Sequence, residues 1–142
     1  LDGCEDKPDS DIRYYGLGDW DAYRQQEAAW LKQTVESEEF RTAPVRIVLI
    51  HMIPGGDASW YGEQQIRRLF VPELVGKGID VMLCGHYHRY QWIDDGSRGV
   101  DFPILVNSNV DRLAVSADAT GIDLKVFDTA GKLVKQHRID KK

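Results

Sequence analysis

The feature that most constrains the fold is a pair of short apolar runs with a helical pattern between them. Residues 45–50 read VRIVLI and residues 79–84 read IDVMLC. Short runs that are β-branched and nearly all apolar are typical of strands buried on both faces. Between them, residues 61–74 carry apolar side chains at helical spacing. This order predicts two parallel strands joined by a crossover helix.

The flanking segments extend this pattern into an α/β fold that ends in antiparallel strands. Residues 1–20 predict an irregular arm, and residues 21–38 predict an amphipathic helix whose start is capped by Asp19 or Asp21. Four further runs are predicted to be strands, at residues 102–106, 112–117, 122–128 and 133–139. Turn residues at 129–131 predict a hairpin between the last two. We expect an α/β part over residues 21–93 and an antiparallel β tail over residues 94–142.

Composition excludes some classes of function. The formal net charge of the 142-residue chain is -5, which argues against nucleic-acid binding through a general basic surface. No apolar stretch reaches the length of a membrane span. Two cysteines, Cys4 and Cys84, do not make a disulfide framework. The compartment therefore stays open, with an extracytoplasmic parent protein as one interpretation.

Three of the four histidines stand where the two apolar runs end. His51 follows the first run, and His86 and His88 follow the second within the sequence CGHYHRY. The carboxyl ends of parallel strands meet at one edge of a sheet, where ligands bind in open α/β sheets. Neutral imidazole is a common ligand for zinc, iron, manganese and nickel. A His-x-His pair alone fits a structural role equally well, but its combination with His51 favours a metal site.

These two segments resemble motifs of the calcineurin-like metallophosphoesterases. The matching stretches are IVLIHMIP at residues 47–54 and VMLCGHYH at residues 81–88, and the following Arg-Tyr is similar to the purple acid phosphatase branch. The resemblance implies the C-terminal half of an αββα sandwich. It implies that His51 and His86 bind one metal of a dinuclear centre and that His88 binds the other. Two such ions, of manganese, iron or zinc, would activate water for attack on a phosphate ester.

The same resemblance shows what the chain lacks. The family's N-terminal Asp-x-His, Gly-Asp-x-x-Asp or -Tyr, and Gly-Asn-His motifs are absent in that order, and GDWDA at residues 18–22 is instead interpreted as a helix start. No complete catalytic set is therefore present. We expect the parent protein to be a phosphatase and this chain alone to be inactive and to bind fewer metal ions or none. Because the N-terminal half would cover a sheet edge and apolar faces, we also expect a homodimer through that exposed edge or face.

The loop after the first strand and the tyrosine between the paired histidines supply candidate substrate contacts. Loops held by a rigid scaffold often carry such contacts. The candidates are Asp57, Trp60, Tyr61 and Tyr87. For Trp60 and Tyr61 the alternative is packing at the start of the next helix, which we expect for one of the two.

Two other functions remain open for this sequence. The three histidines, with Cys84 as a further donor, would suffice for a single zinc ion in a module without catalytic activity. Alternatively, the domain is a structural or interaction module in which the histidines have no metal. Metal content separates the last hypothesis from the first two, and phosphoesterase activity separates those two from each other.

Overall fold

The computed structural model describes residues 1–141 as a mixed α/β structure with two sheets. The helices are α1 (Trp20–Thr34), α2 (Glu38–Thr42), α3 (Tyr61–Leu69) and α4 (Val71–Leu74), preceded by a 3-10 helix at Ile12–Tyr14. The strands are β1 (Ile47–Leu49), β2 (Val81–Cys84), β3 (Gln91–Ile93), β4 (Ile104–Val106), β5 (Arg112–Asp118), β6 (Gly121–Phe127) and β7 (Leu133–Asp140). No helix within residues 1–141 is both long and apolar enough to cross a membrane.

The first sheet has the strand order β1-β2-β4-β3. The predicted parallel pairing of β1 and β2 is confirmed, with Val48 opposite Met82. β4 was expected in the antiparallel tail, and that placement is wrong, because β4 pairs in parallel with β2. The sequence did not indicate β3, which follows the GHYH loop and pairs antiparallel with β4. Its three half-buried residues lack the apolar run that marks a central strand.

The second sheet is antiparallel, with the order β5-β6-β7. The predicted hairpin is confirmed, since β6 and β7 pair antiparallel around residues 128–132. β6 alternates buried and half-buried residues along its length. This alternation is typical of a sheet with one face on a core and the other towards solvent.

Two apolar clusters lie on opposite faces of the first sheet. On one face, Met82 and Ile104 pack with helical residues such as Ile66 and Phe70. On the other face, Val81 and Leu105 pack against Ile122 and Leu124 of β6 and form a second, separate cluster. Adjacent strand residues point to opposite faces, so β2 and β4 contribute to both clusters. The layers are therefore helices, mixed sheet and antiparallel sheet.

Both predicted helices are broken near their C-terminal ends. The helix expected over residues 21–38 ends at Thr34, and Ser37 then caps α2 by accepting a hydrogen bond from the Phe40 amide at 3.1 Å. The helix expected over residues 61–74 divides at Phe70. Pro72 lies at the start of α4, where its missing N–H costs no helical hydrogen bond.

The N-terminal arm is irregular, as expected, but it is tied to the helices. Asp19 precedes α1 without a side-chain capping bond, so the predicted cap is wrong. Asp9 caps the helix instead, accepting hydrogen bonds from the amides of Trp20 at 2.9 Å and Asp21 at 3.1 Å. A cap from a distant loop residue satisfies the free N–H groups equally well, and local sequence does not reveal it.

The fourth histidine joins the two sheets. His137 on β7 stacks on the Trp92 ring of β3, with centroids 3.9 Å apart, and hydrogen-bonds the Tyr90 hydroxyl. Burial lowers the pKa of His137 below its usual value. This histidine therefore packs between the two sheets.

Candidate metal centre

His51 and His86 are brought together at the carboxyl edge of the first sheet. His51 follows β1, and His86 follows β2 after one glycine. The Gly85 amide donates to the His51 carbonyl at 2.9 Å, which extends the parallel pairing beyond the strands. The two rings lie edge to face, with centroids 5.3 Å apart. The expected convergence of these two histidines therefore occurs.

The GHYH loop reverses direction through unusual backbone conformations. His86 has φ of 67° and His88 has φ of 55°, both in the left-handed region. Histidine adopts this region more readily than most residues other than glycine. A Cβ on Gly85 would lie 3.3 Å from Nδ1 of His51, so glycine leaves room for that ring. The loop thus holds His86 against His51.

His88 makes no ring contact with this pair within residues 1–141, whereas His86 lies edge to face with both His51 and Trp60. His88 is exposed, as His51 is, and His86 is half-buried. His86 and His88 are both in the left-handed conformation, so the rule that strand residues two apart share a face does not apply to them. The observed ring contacts therefore join His86, but not His88, to His51.

A carboxylate that the sequence did not single out completes the site. Glu63, in the first turn of α3, is fully buried. Its Oε1 lies 3.7 Å from Nε2 of His86. Within residues 1–141 neither carboxylate oxygen accepts a hydrogen bond. The available signal was its position on the buried face of α3, three residues before Ile66 and seven before Phe70.

Glu63 is packed closely by the loop that precedes its helix. The Gly55 amide donates to the Glu63 carbonyl at 3.0 Å. A Cβ added to Gly55 would lie 2.6 Å from the Glu63 Cβ, so only glycine fits without displacement. The backbone and Cβ of Glu63 are therefore held in place by the preceding loop, while the carboxylate oxygens have no hydrogen-bond donor of normal geometry within residues 1–141.

Tyr87 lies beside the same carboxylate. Its side chain is half-buried against the main apolar cluster. Burial raises the pKa of the Tyr87 hydroxyl, and its approach to the Glu63 carboxylate as a hydrogen-bond donor, together with the Glu63 charge, raises it further, while Arg98 lowers it. Arg98 also approaches the Pro54 carbonyl, with Nη1 at 3.5 Å. The surroundings of Glu63 therefore include a phenol and a nearby guanidinium.

The remaining candidate substrate residues divide into two groups. Tyr61 faces α1, where its hydroxyl donates to Oδ2 of Asp21 at 3.0 Å, so it packs rather than lines the site. Trp60 is 56% exposed, with its ring centroid 6.1 Å from that of His86. Asp57 is exposed on the loop before Trp60. Trp60 is thus the better placed of the two aromatic residues to meet a ligand.

The donors at this edge of the sheet suit one metal ion in chemistry but are not yet gathered around it. Within the described residues, no group of three or more His, Cys, Asp or Glu side chains is already clustered closely enough to hold a metal. His86 and Glu63 form a close pair, with His51 adjacent, and two imidazoles with one carboxylate suit borderline ions such as zinc. These residues fit one ion in chemistry, but they do not supply a dinuclear site.

Cys84 does not join these donors. Its side chain is buried in the main apolar cluster. Burial raises the pKa of its thiol strongly. A metal ligand must be a thiolate, so this position disfavours the single zinc site in which Cys84 is a ligand.

Comparison with known proteins gives a fold but no family. No protein-family model matches the chain, and no curated protein matches it. A solved structure described as "GAP50 the anchor in the inner membrane complex of Plasmodium" is similar over 94% of this chain, with a TM-score of 0.59 and 15% sequence identity. The chain covers 46% of that structure's chain. At this identity the likeness concerns the fold alone.

Proposed function

We propose that this chain is the C-terminal half of a calcineurin-like metallophosphoesterase domain. In this proposal a longer protein hydrolyses phosphate esters at a dinuclear metal centre, and the present chain supplies His51, His86 and His88. The observation that carries the proposal is the edge-to-face pair of His51 and His86 beside a buried carboxylate. Its location at the carboxyl edge of a parallel sheet is the usual place for a ligand site.

The size of the structural relative supports the idea of a half domain. Nearly all of this chain matches less than half of that chain. β1 is an edge strand of its sheet, and Leu49 on it is 61% exposed. An edge of this kind offers unpaired N–H and C=O groups to another strand. A preceding half of the domain would cover it, and homodimerisation through the same edge stays a prediction.

Within this chain, the residues have distinct roles in the proposed reaction. When bound, the metal ions would supply a water of low pKa and neutralise charge on the phosphoryl oxygens. His51 and His86 would hold an ion at the sheet edge, and exposed His88 would reach a second site completed by the missing half. Trp60 stands beside His86 at the solvent side, where it would border the bound ester.

The deciding experiment measures phosphatase activity of the longer protein that contains this chain. We expect metal-dependent hydrolysis of p-nitrophenyl phosphate with manganese, iron or zinc. His51→Ala and His86→Ala should each reduce kcat/KM by more than about 100-fold, beyond the loss typical of residues that only orient a ligand. His137→Gln is the matched control, because it removes a histidine from the inter-sheet contact. Full activity in both alanine variants, or equal turnover by the 142-residue chain alone, would contradict the proposal.

A second candidate function is a non-catalytic interaction or single-metal module. Two observations favour it: within the described residues His88 has no ring contact with the pair of His51 and His86, and no three metal ligands form a ready-made cluster there. The structural relative is itself described as an anchor. If the longer protein shows no metal-dependent hydrolysis but forms a stable complex with a partner, this function is favoured over hydrolysis.

A further inference from the structure

The buried carboxylate of Glu63 requires an explanation that the apolar core does not provide. Its side chain is fully excluded from solvent, and neither oxygen accepts a hydrogen bond of normal geometry from residues 1–141, although the Tyr87 hydroxyl approaches the carboxylate. Burying an ionised carboxylate without a partner is very unfavourable, so such groups are normally paired or bind a metal ion. A cation close to Glu63 would remove this cost.

The position is built to hold the carboxylate towards His86. Glu63 lies in the first turn of the nine-residue helix α3, where free N–H groups favour negative charge. Gly55 leaves the space for its Cβ. Oε1 then faces Nε2 of His86 at 3.7 Å, too far for a hydrogen bond. Two ligand atoms that share one ion, each about 2.0–2.2 Å from it, can lie this far apart.

We propose that Glu63 is a metal ligand, which forms a two-histidine and one-carboxylate site for a divalent ion together with His86 and His51. Within residues 1–141 these three side chains are not yet a ready-made ligand cluster, so the His51 ring moves towards the close pair of Glu63 and His86 when the ion binds. This inference rests on the proposed function only in using the same two histidines. It assigns to the chain a carboxylate of its own, so that one ion binds here without the N-terminal half of the domain. His88 takes no part in this site.

The nearest alternative is a structural ion pair or hydrogen bond. The Tyr87 hydroxyl lies near the Glu63 carboxylate, and Arg98 lies near Tyr87. If a small shift of either side chain satisfies the carboxylate, Glu63 stabilises the fold and has no role in metal binding. The two roles predict different effects of Glu63→Gln on the stability of the metal-free protein.

The test uses the tag-free 142-residue chain, with its folding checked by circular dichroism. Zn²⁺ is titrated into the wild type, Glu63→Gln and the matched control Glu39→Gln by isothermal titration calorimetry. Glu39 is an exposed acid in the first turn of α2, so its variant makes the same charge change. We expect one Zn²⁺ per chain, an affinity lowered by at least about tenfold in Glu63→Gln, and no change in Glu39→Gln.

Thermal unfolding with and without Zn²⁺ separates the two roles. Without Zn²⁺, Glu63→Gln should have a Tm equal to or above that of the wild type, because a neutral amide is less costly to bury than a charge. With Zn²⁺, the Tm of the wild type should rise and that of Glu63→Gln should not.

Three results would overturn the inference. These are unchanged Zn²⁺ affinity in Glu63→Gln, no stoichiometric binding by the wild type, or a lower Tm of Glu63→Gln in the absence of metal. None of these results requires phosphatase activity. Zinc binding through Glu63 in a protein without hydrolase activity would leave this inference standing while the proposed function fails.

Discussion

Arg24 provides the sharpest test of how the irregular N-terminal arm is held. The side chain is fully buried on α1. Its Nε donates to the Gly3 carbonyl at 2.9 Å, Nη2 donates to the Glu5 carbonyl, and Nη1 donates to Oδ1 of Asp21 at 2.8 Å. One guanidinium therefore connects two points of the arm to the helix layer.

Replacing Arg24 with Met removes these donors while keeping most of the side-chain volume. The buried carbonyl of Gly3 loses its donor, and a buried acceptor left unsatisfied costs about 1–3 kcal/mol. Glu5 is exposed, so water can replace the donor to its carbonyl. Asp21 is partly exposed and still accepts from the Tyr61 hydroxyl, so it adds little. We expect the free energy of unfolding to fall by about 2 kcal/mol.

The assay is urea unfolding followed by circular dichroism and tryptophan fluorescence. With an m-value of about 1–3 kcal/mol/M, a loss of about 2 kcal/mol should lower the midpoint by about 0.7–2 M. Arg13→Met is the control, because Arg13 makes two bonds of similar length to Asp11 but is exposed. An exposed pair is screened by solvent, so that midpoint should not move. Equal midpoints for both variants, or a loss below about 1 kcal/mol in Arg24→Met, would refute the reasoning.

Three further predictions concern packing, pH and thiol reactivity. Gly55→Ala should lower the free energy of unfolding by about 1–3 kcal/mol. The added alanine Cβ would lie 2.6 Å from the Cβ of Glu63 and 2.5 Å from the Cβ of Ser59. An unchanged urea midpoint would contradict this prediction. Burial lowers the pKa of His137, so the unfolded chain binds protons at higher pH than the folded chain. The free energy of unfolding should therefore decrease as pH falls below about 6.5. His137→Phe should make the Tm less dependent on pH in this range. A pH dependence of the Tm that is the same in the wild type and in His137→Phe would contradict this prediction. Burial also raises the pKa of Cys84, so a thiol reagent at pH 8 should label it only after denaturant is added; rapid labelling of the folded chain would exclude the buried position.

Several parts of the fold were predictable because they depend on local pattern. The apolar runs around β1 and β2 predicted parallel strands, and turn residues predicted the β6–β7 hairpin. The same reasoning predicted that His51 and His86 would meet, because parallel strands end at one edge. β4 was misplaced, since a three-residue apolar strand carries no information about its partner. Register and partner choice depend on non-local contacts, which a single run of residues does not encode.

The candidate site shows the same division. The sequence indicated the histidine pair and placed His88 in the same set, because spacing alone does not reveal the left-handed backbone at both His86 and His88. Glu63 was overlooked because a polar residue in a helix is normally solvated. Its location on the face shared with Ile66 was visible in the helical period, yet its distance to His86 was not.

By itself, the sequence determined the alternation of strand and helix and the residue types at the strand ends. Hydrophobic period and turn chemistry act over a few residues, so they can be read directly from the chain. The tertiary structure decided which side chains meet. It buried Arg24 under the N-terminal arm and brought the carboxylate of Glu63 to His86. Those contacts join segments that are distant along the chain, and packing of the whole domain selects them.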